Sequence, residues 1–579
     1  MRAFLSSTWA WSKGGVWLLL GVHGALLVWG AFRQSPTVDE PVHLASGLRR
    51  LQQGRFDLNR GNPPLVGTVA ALPLIWAHPV VDWHSAPDSH AVGMDFVSAN
   101  GSRSFWLMTV GRLACIPFSL LAGYVCFRWA RELYGTASGY FALTLWSFSP
   151  NAIGYGQLIS GDMGATALGV LAFYTFWKWL RAPSLKRSAF AGLALGLAEL
   201  TKYVWVLLYA LWPMLWIAWK LPSLRQTSRG PLLRELGQLL LLFALSVYVI
   251  NLGYLFDGSL EPLERFRIGQ KFVERLGLAP ETARLIGALP LPLPKDYLLG
   301  IDEIQQFCER RPWSYLWGEF RPGGWWYFYP CALAVKLPLG TIYLVALGAL
   351  LSFDRRFTPD WRTDLLIVAG VAAIVCFVTC SNSVQTFRYI LPVVPLVVLL
   401  AAKAGQAFRL GDKVVSAIAC VGLSWSVLTG LYTYPHSLSY FNEVAGGPTE
   451  GHEWLAESDI DWGQDLLYLK QWLARHLEAK PFYLAYFGCI DPRLAGIDYS
   501  LPPPIRASGS TAHEQTPTPG WYAVSVNLLR GFSWIVPDGM GSRRNVTSDY
   551  VPLLRLRPVA MAGYSIYIYH VDENALSHK

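Results

Sequence analysis

The sequence predicts an α-helical polytopic membrane protein of about eleven transmembrane helices, with a small extracytoplasmic α/β domain at its C-terminal end. Three observations predict it. The 579 residues are 53% hydrophobic and only 15% charged, with a mean hydropathy of +0.30, which is more apolar surface than a soluble chain of this length can hide. The apolar residues gather into runs of about 18 residues or more, the length that crosses a hydrocarbon core of about 30 Å. The basic residues sit in short clusters between those runs, so the formal net charge of +9 reads as membrane orientation and not as a nucleic-acid footprint. Disordered and collagen-like classes are excluded by the same composition.

The first run, Val16 to Phe32, follows Arg2 and Lys13 as in a signal peptide. No small-x-small cleavage site follows, so it is read as an uncleaved first span. Further runs lie at about 106–127, 138–157, 163–180, 235–256, 331–352, 365–381, 387–403 and 414–432. Arg128 and Arg131, Lys178 to Arg187, Lys220 to Arg234, Arg355 with Arg356 and Arg362, and Lys403 to Lys413 all belong to one side under the positive-inside rule, the cytoplasm. The run from 188 to 219 has basic clusters at both ends and cannot cross once. Two short helices meeting near Thr201–Tyr203, each about 16 residues or roughly 24 Å, remove the conflict and put Lys202 at an outward-facing or buried turn.

Residues 1–432 are then a transmembrane domain with large outer loops at 34–105 and 257–330, and residues 433–579 an extracytoplasmic α/β domain. The latter is predicted to hold a helix from Asp461 to Arg475, capped by Asp461, and strands in PFYLAYFG, WYAVSVNLL and YSIYIYH. The eight cysteines show no CxxC and no zinc spacing. Cys115, Cys126, Cys376, Cys380 and Cys420 read as packing residues, while Cys308, Cys331 and Cys489 fall on the outer side, where one disulfide is open.

Directly after the first span comes TVDEPVHLASGLRRLQQGRFDLNRGNPPL, which places Asp39, Glu40 and His43 where the chain leaves the bilayer. The adjacent carboxylates admit two readings. Either they cap a solvated helix beginning at Pro41, or one is a general base beside an acceptor hydroxyl and the other positions a partner. Asp162 in ISGDMG follows the third span on the same outer face, as the N-cap of the next span or as a second acid of the same site.

Three cations lie at the same level: Lys202 in ELTKYVW, Lys336 in YPCALAVKLPLG and Arg388 in QTFRYILPVVP. An ionisable group costs about 2.5–3.5 kcal/mol at mid-depth of a bilayer. Cations from three spans on one face are economically explained by a shared anion, and phosphate is the anion that Lys and Arg serve best. For Lys202 the plain alternative is an intrahelical pair with Glu199. Tyr203 and Tyr389, beside two of the cations, and His43 are the further candidate substrate contacts. Acids beside a phosphate cluster, on a face where nucleotide sugars are normally absent, suggest group transfer from a lipid-linked phosphate.

Lesser features carry less. His78, His84 and His90 with Asp82 and Asp88 lack helical ligand spacing and read as a polar loop, so no metal or other cofactor is indicated. Asn545-Val-Thr547 is a sequon of the kind that arises by chance. The aromatic GWWYFYP reads first as an interfacial belt and second as a platform for a sugar or isoprenoid.

The segments DEPVHLASG with GNPPL, LTKY, GWWYFYPCALAVKLPLG and FRYILPVVP, in this order across about 35–400, resemble the dolichyl-phosphate-mannose protein mannosyltransferase family and its bacterial polyprenyl-phosphate-sugar relatives, glycosyltransferases of the GT-C fold. YFNEVAGGPTEG and ESDIDWGQDLLYLKQWL are similar to the outer tail of bacterial members. The resemblance implies an inverting transferase in a bacterial inner membrane, taking a sugar from a polyprenyl phosphate to a lipid, glycan or protein hydroxyl, with no metal or only a weak dependence on one. It implies Asp39 as base with Glu40 beside it, Asp162 as the second acid, and Lys202, Arg388 and Lys336 as donor-phosphate contacts. The chain has no β-trefoil insertion of the eukaryotic kind, which puts a protein acceptor in doubt. The rival class is a transporter or flippase, which also carries intramembrane charge; no two-fold hydropathy repeat speaks for it.

Overall fold

A computed structural model describes residues 13–83, 89–223, 229–275, 279–357, 360–505, 518–540 and 542–572. Helices dominate as far as residue 473. In chain order they are α1 (Lys13–Arg33), α2 (Glu40–Gln53), α3 (Leu65–Ala71), α4 (Ser89–Asn100), α5 (Arg103–Tyr134), α6 (Thr136–Ser147), α7 (Pro150–Gly156), α8 (Gly161–Arg181), α9 (Leu185–Glu199), α10 (Leu207–Lys220) and α11 (Arg229–Gly253). Then follow α12 (Arg267–Arg275), α13 (Pro280–Gly287), α14 (Lys295–Glu309), α15 (Phe328–Lys336), α16 (Leu339–Leu351), α17 (Trp361–Cys380), α18 (Val394–Ala402), α19 (Gln406–Leu410), α20 (Lys413–Thr433), α21 (Gly447–Trp454) and α22 (Leu466–Leu473).

The chain is a multi-pass helical membrane protein, but the span count differs from the expected eleven. Among the described residues seven helices are long and apolar enough to cross: Gly14–Arg33, Arg103–Tyr134, Tyr203–Lys220, Arg229–Gly253, Trp361–Cys380, Phe387–Leu410 and Lys413–Thr433. Two pairs qualify only together, α7 with α8, bent by 120°, and α15 with α16, bent by 112°, which brings the count to nine. The difference lies in the short helices. At 1.5 Å per residue α6 and α9 are only about 18 and 23 Å long and do not reach across alone.

The run 188–219 divides into α9 and α10, with Lys202 in extended backbone between them and a 3-10 turn at Tyr203–Val206. Gly192 and Gly196, one helical turn apart, let α9 approach α11 so closely that a Cβ at either would press on the Leu242 or Ser246 carbonyl. Six tryptophans (Trp129, Trp146, Trp177, Trp179, Trp205 and Trp212) are fully buried in the main core between the helices.

The segment after α1 forms α2, which starts with Pro41 in its first turn and stops at Gly54, where φ of 65° suits a residue without Cβ. Gly47 of α2 meets the Gly67 backbone of α3, so these two helices lie nearly in backbone contact within residues 34–105. Residues 257–330 hold α12, α13, α14 and a hairpin of β1 (Trp313–Leu316) and β2 (Glu319–Pro322).

The C-terminal region contains β3 (Phe482–Ala485), β4 (Gly520–Ser525), β5 (Trp534–Pro537), β6 (Arg543–Val546), β7 (Ala560–Ala562) and β8 (Ile566–Val571). The main sheet has the order β3-β4-β8-β7, with β3 parallel to β4 and the other neighbours antiparallel; β5 and β6 pair separately. Along β8 the period of two sends Tyr567 and Tyr569 into the main core and Ile566 and Ile568 into a second cluster, so the strand is covered on both faces. The helix expected from Asp461 starts only at Leu466, with Asp465 at its N-cap. Asp461 is no cap: the chain turns at Gly463, where φ is 87°, and the Asp461 carboxylate accepts the Gly463 N–H at 3.1 Å.

All eight cysteines are free thiols, so no disulfide joins Cys308, Cys331 and Cys489. Cys489 is buried and donates to the Thr37 carbonyl at 3.3 Å. Cys376 and Cys380 are exposed on α17 and do not pack in the core as expected.

Candidate active site

Asp39 occupies the N-cap position of α2, yet its side chain makes no cap hydrogen bond. It turns away and accepts a hydrogen bond from Arg388 Nη1 at 2.7 Å. Burial presses the Asp39 carboxyl upward, but the Arg388 charge and hydrogen bond outweigh it and hold the group below the usual carboxylate range. Arg388 comes from the opposite side of the site, in a 3-10 turn (Phe387–Val393) that precedes α18. Its guanidinium also lies 4.5 Å from the Trp462 ring centre and 5.2 Å from that of Tyr389, and 3.9 Å from a Glu457 carboxylate oxygen. Its Nε is buried and has no acceptor among the described residues.

Asp162 lies in the first turn of α8, one residue inside the helix, with Ser160 and not Asp162 as the N-cap. It pairs with Lys202, whose ammonium lies 4.4 Å from the Tyr389 ring centre. The alternative partner Glu199 is elsewhere: it accepts the Tyr297 hydroxyl at 2.9 Å and ties α9 to α14. The short turn between α9 and α10 is the physical reason. It breaks the helix between Glu199 and Lys202, so their i, i+3 relation is lost.

One cavity of about 640 Å³ is lined by Asp39, His43, Asp162, Lys202, Tyr203, Arg388 and Tyr389. His43, one turn along α2 from Asp39, is driven by burial down to about 4, so it is neutral at neutral pH and can donate or accept one hydrogen bond. Asn62 of GNPPL, Tyr329 of GWWYFYP, and Glu303, Gln305 and Cys308 of α14 line the same space. The lining also holds the apolar Val204, Val206, Ile268, Ile301, Phe377 and Val378, with Ser381 and Ser383. The cavity thus combines charged groups with a large share of apolar side chains.

Two of the expected site residues lie away from it. Glu40 is a buried structural acid: its carboxylate takes Arg112 Nε at 2.7 Å and Nη2 at 2.6 Å, the Thr37 N–H at 2.7 Å and the Ile159 N–H at 2.9 Å. Adjacent residues at a helix start point in different directions, so only the first acid of the DE pair reaches the cavity. Lys336 is fully buried at the end of α15 and donates to the carbonyls of Leu438 at 3.1 Å and Asp459 at 2.7 Å. It is therefore no phosphate contact. Glu457 and Trp462, which the sequence reading passed over, come from ESDIDWGQD beside Arg388; the density of acids in that stretch was the available signal.

No group of three or more His, Cys, Asp or Glu side chains able to hold a metal ion occurs among the described residues. His84 and Asp88 lie outside the described residues.

Residues 104–251 match the family model described as dolichyl-phosphate-mannose-protein mannosyltransferase. No curated protein matches in sequence. Among solved structures, ArnT from Cupriavidus metallidurans bound to undecaprenyl phosphate is 13% identical over 96% of this chain and 98% of that chain, with a TM-score of 0.45. Its apo state gives a TM-score of 0.43 at 13% identity, over 96% of this chain and 97% of that chain. The Archaeoglobus fulgidus oligosaccharyltransferase complexed with zinc and sulfate is 13% identical over 71% of this chain and 52% of that chain, at a TM-score of 0.37. The matched segment runs from α5 to α11 and includes Asp162 and Lys202, and with it the resemblance seen in the sequence is borne out: residues 104–251 are those of the dolichyl-phosphate-mannose-protein mannosyltransferase family, which relates this chain to glycosyltransferases.

Proposed function

We propose that the protein is an inverting glycosyltransferase that moves a sugar from a polyprenyl phosphate to an acceptor hydroxyl on the extracytoplasmic face of a bacterial inner membrane. One observation carries the reading: two acid–cation pairs, Asp39 with Arg388 and Asp162 with Lys202, face one cavity whose lining also holds many apolar side chains. A phosphate between Lys202 and Arg388 would exchange one anion for another, and the buried Nε of Arg388 offers it a donor. The apolar side chains suit the isoprenoid. The basic helix ends, such as Arg128, Lys178 and Lys186, lie at the opposite ends of helices whose other ends line the cavity or lead to it, which supports an extracytoplasmic site.

The chemistry follows from the pairing. When the donor phosphate engages Arg388, Asp39 loses its countercharge and gains an anionic neighbour, so its basicity rises as substrate arrives. The carboxylate then takes the acceptor proton while the hydroxyl oxygen bonds to the anomeric carbon, and the carbon–oxygen bond to phosphate breaks with inversion. Fixed cations stabilise the charge that develops on the leaving phosphate. His43, Tyr203 and Tyr389 are positioned to contact the sugar or phosphate. The residues need no metal for these steps, and none is assigned.

The rival reading, a transporter or flippase for a phosphorylated lipid or sugar, would use the same cations. The general-base geometry of Asp39 beside a phosphate pocket favours transfer. The test is incubation of purified protein with radiolabelled polyprenyl-phosphate sugars and membrane extract. Label moving to a lipid, glycan or protein fraction supports the proposal; label that only changes leaflet in vesicles, with the donor intact, overturns it.

A further inference from the structure

Lys336 and Asp459 are too deeply buried to meet a substrate, yet they converge on the residues that carry the candidate site. The Asp459 carboxylate accepts the Phe387 N–H at 2.9 Å, one residue before Arg388. The Trp462 carbonyl accepts the Val38 N–H at 3.1 Å, one residue before Asp39, while the Trp462 ring lies under the Arg388 guanidinium. A single loop therefore grips the backbone behind both members of the Asp39–Arg388 pair.

That loop is itself held. Lys336 Nζ donates to the Asp459 carbonyl, the Tyr155 hydroxyl donates to the Ser458 carbonyl at 3.3 Å, and Asn527 binds at both ends, through Oδ1 to the Glu457 N–H at 2.8 Å and through Nδ2 to the Asp461 carbonyl at 2.8 Å. Glu457 has a φ of 60°, a conformation costly without glycine, which these bonds hold in place. A fully buried lysine that donates to two backbone carbonyls, away from the cavity lining, stabilises a backbone shape.

We infer that Asp459 is a positioning residue for Arg388, with Lys336 as its anchor, so that the C-terminal region braces the site from behind and does not stand apart from it. The inference rests on the proposed reading of the cavity only for its consequence on donor binding; the brace itself is a statement about the loop.

Two measurements separate those levels. In the donor-free protein, amide hydrogen exchange of a peptide covering 385–391 reports the brace: Asp459→Ala and Lys336→Gln speed exchange there, and Asp459→Asn, which keeps an oxygen for the Phe387 N–H, does so less. Unchanged exchange at 385–391 in Asp459→Ala, or equal acceleration throughout the chain, overturns the inference. Binding of a long-chain polyprenyl phosphate reports the consequence: Asp459→Ala weakens it about tenfold in the wild-type background but changes it little when added to Arg388→Ala. An equal loss in both backgrounds means that Asp459 does not act through Arg388, and overturns the inference. Wild-type protein that binds no polyprenyl phosphate would refute the cavity reading, and the exchange result would still decide the brace.

Discussion

Replacing Asp39 with asparagine should move catalysis and donor binding in opposite directions. Asp39 and Arg388 meet at 2.7 Å with side chains 24% and 13% exposed. Coulomb attraction at that distance is about 1.5 kcal/mol in water and about 6 kcal/mol at an effective permittivity of about 20; desolvation offsets part of it. A donor phosphate that needs Arg388 must break this contact. Asparagine leaves only a neutral acceptor, so about 1.4 kcal/mol of competition disappears and polyprenyl phosphate should bind about tenfold more tightly. The amide cannot take a proton, so kcat at saturating donor should fall by about 10² to 10⁴. The fold should be spared, because the Asp39 side chain caps nothing and Arg388 keeps its two aromatic neighbours and Glu457. Purified variant and wild type are compared by transfer of radiolabel at saturating donor and by equilibrium binding of the lipid phosphate. Near-normal turnover would remove Asp39 as the base and turn attention to Asp162. A rate loss that merely tracks weaker donor binding would refute the competition argument.

Arg388→Ala should weaken donor binding and slow transfer together, with Arg388→Lys rescuing only part of each, since lysine supplies charge without the planar pair of donors; steady-state kinetics over a donor range checks this. Glu40→Gln should behave as a folding defect of about 3–5 kcal/mol, because it breaks a fully buried pair with Arg112, and thermal melting in detergent should show it while any folded fraction keeps a normal kcat. The Asp39 carboxyl is held below its ordinary value in the free protein, so kcat/KM should hold its plateau as pH falls and drop only below the usual carboxylate range. The acid limb of kcat should lie higher, because bound phosphate neutralises Arg388 and raises the base; pH profiles of both constants, compared over the same range, would refute this if the limbs coincide.

Much of the candidate site was legible because a bilayer makes ionisable groups conspicuous. Lys202 and Arg388 stood out as cations at the ends of apolar runs, Asp39 and Asp162 as acids at span ends, and the positive-inside rule placed all four on one face. Tyr203 and Tyr389 came with the cations they adjoin. The same logic over-read Lys336, since a sequence shows that a cation sits near a membrane but not whether its donors face a cavity or a carbonyl. Glu40 failed for a similar reason: one residue of displacement at a helix start sends its carboxylate to Arg112 instead of the cavity.

The sequence by itself determined the class of molecule, its helical membrane character and the strands β3, β4 and β8 of its C-terminal region, though not β5, β6 and β7, because hydrophobic length and period are local properties of the chain. It also determined the break at Lys202, since basic residues at both ends of one apolar run leave no other solution. What only the tertiary structure decided was partnership: that Asp39 faces Arg388, that Lys202 faces Asp162 and not Glu199, and that Asp459 and Trp462 grip the backbone behind the first pair. Those contacts join residues separated by tens to hundreds of positions. They arise from how bent and shortened helices pack, and neither propensity nor hydropathy carries that information.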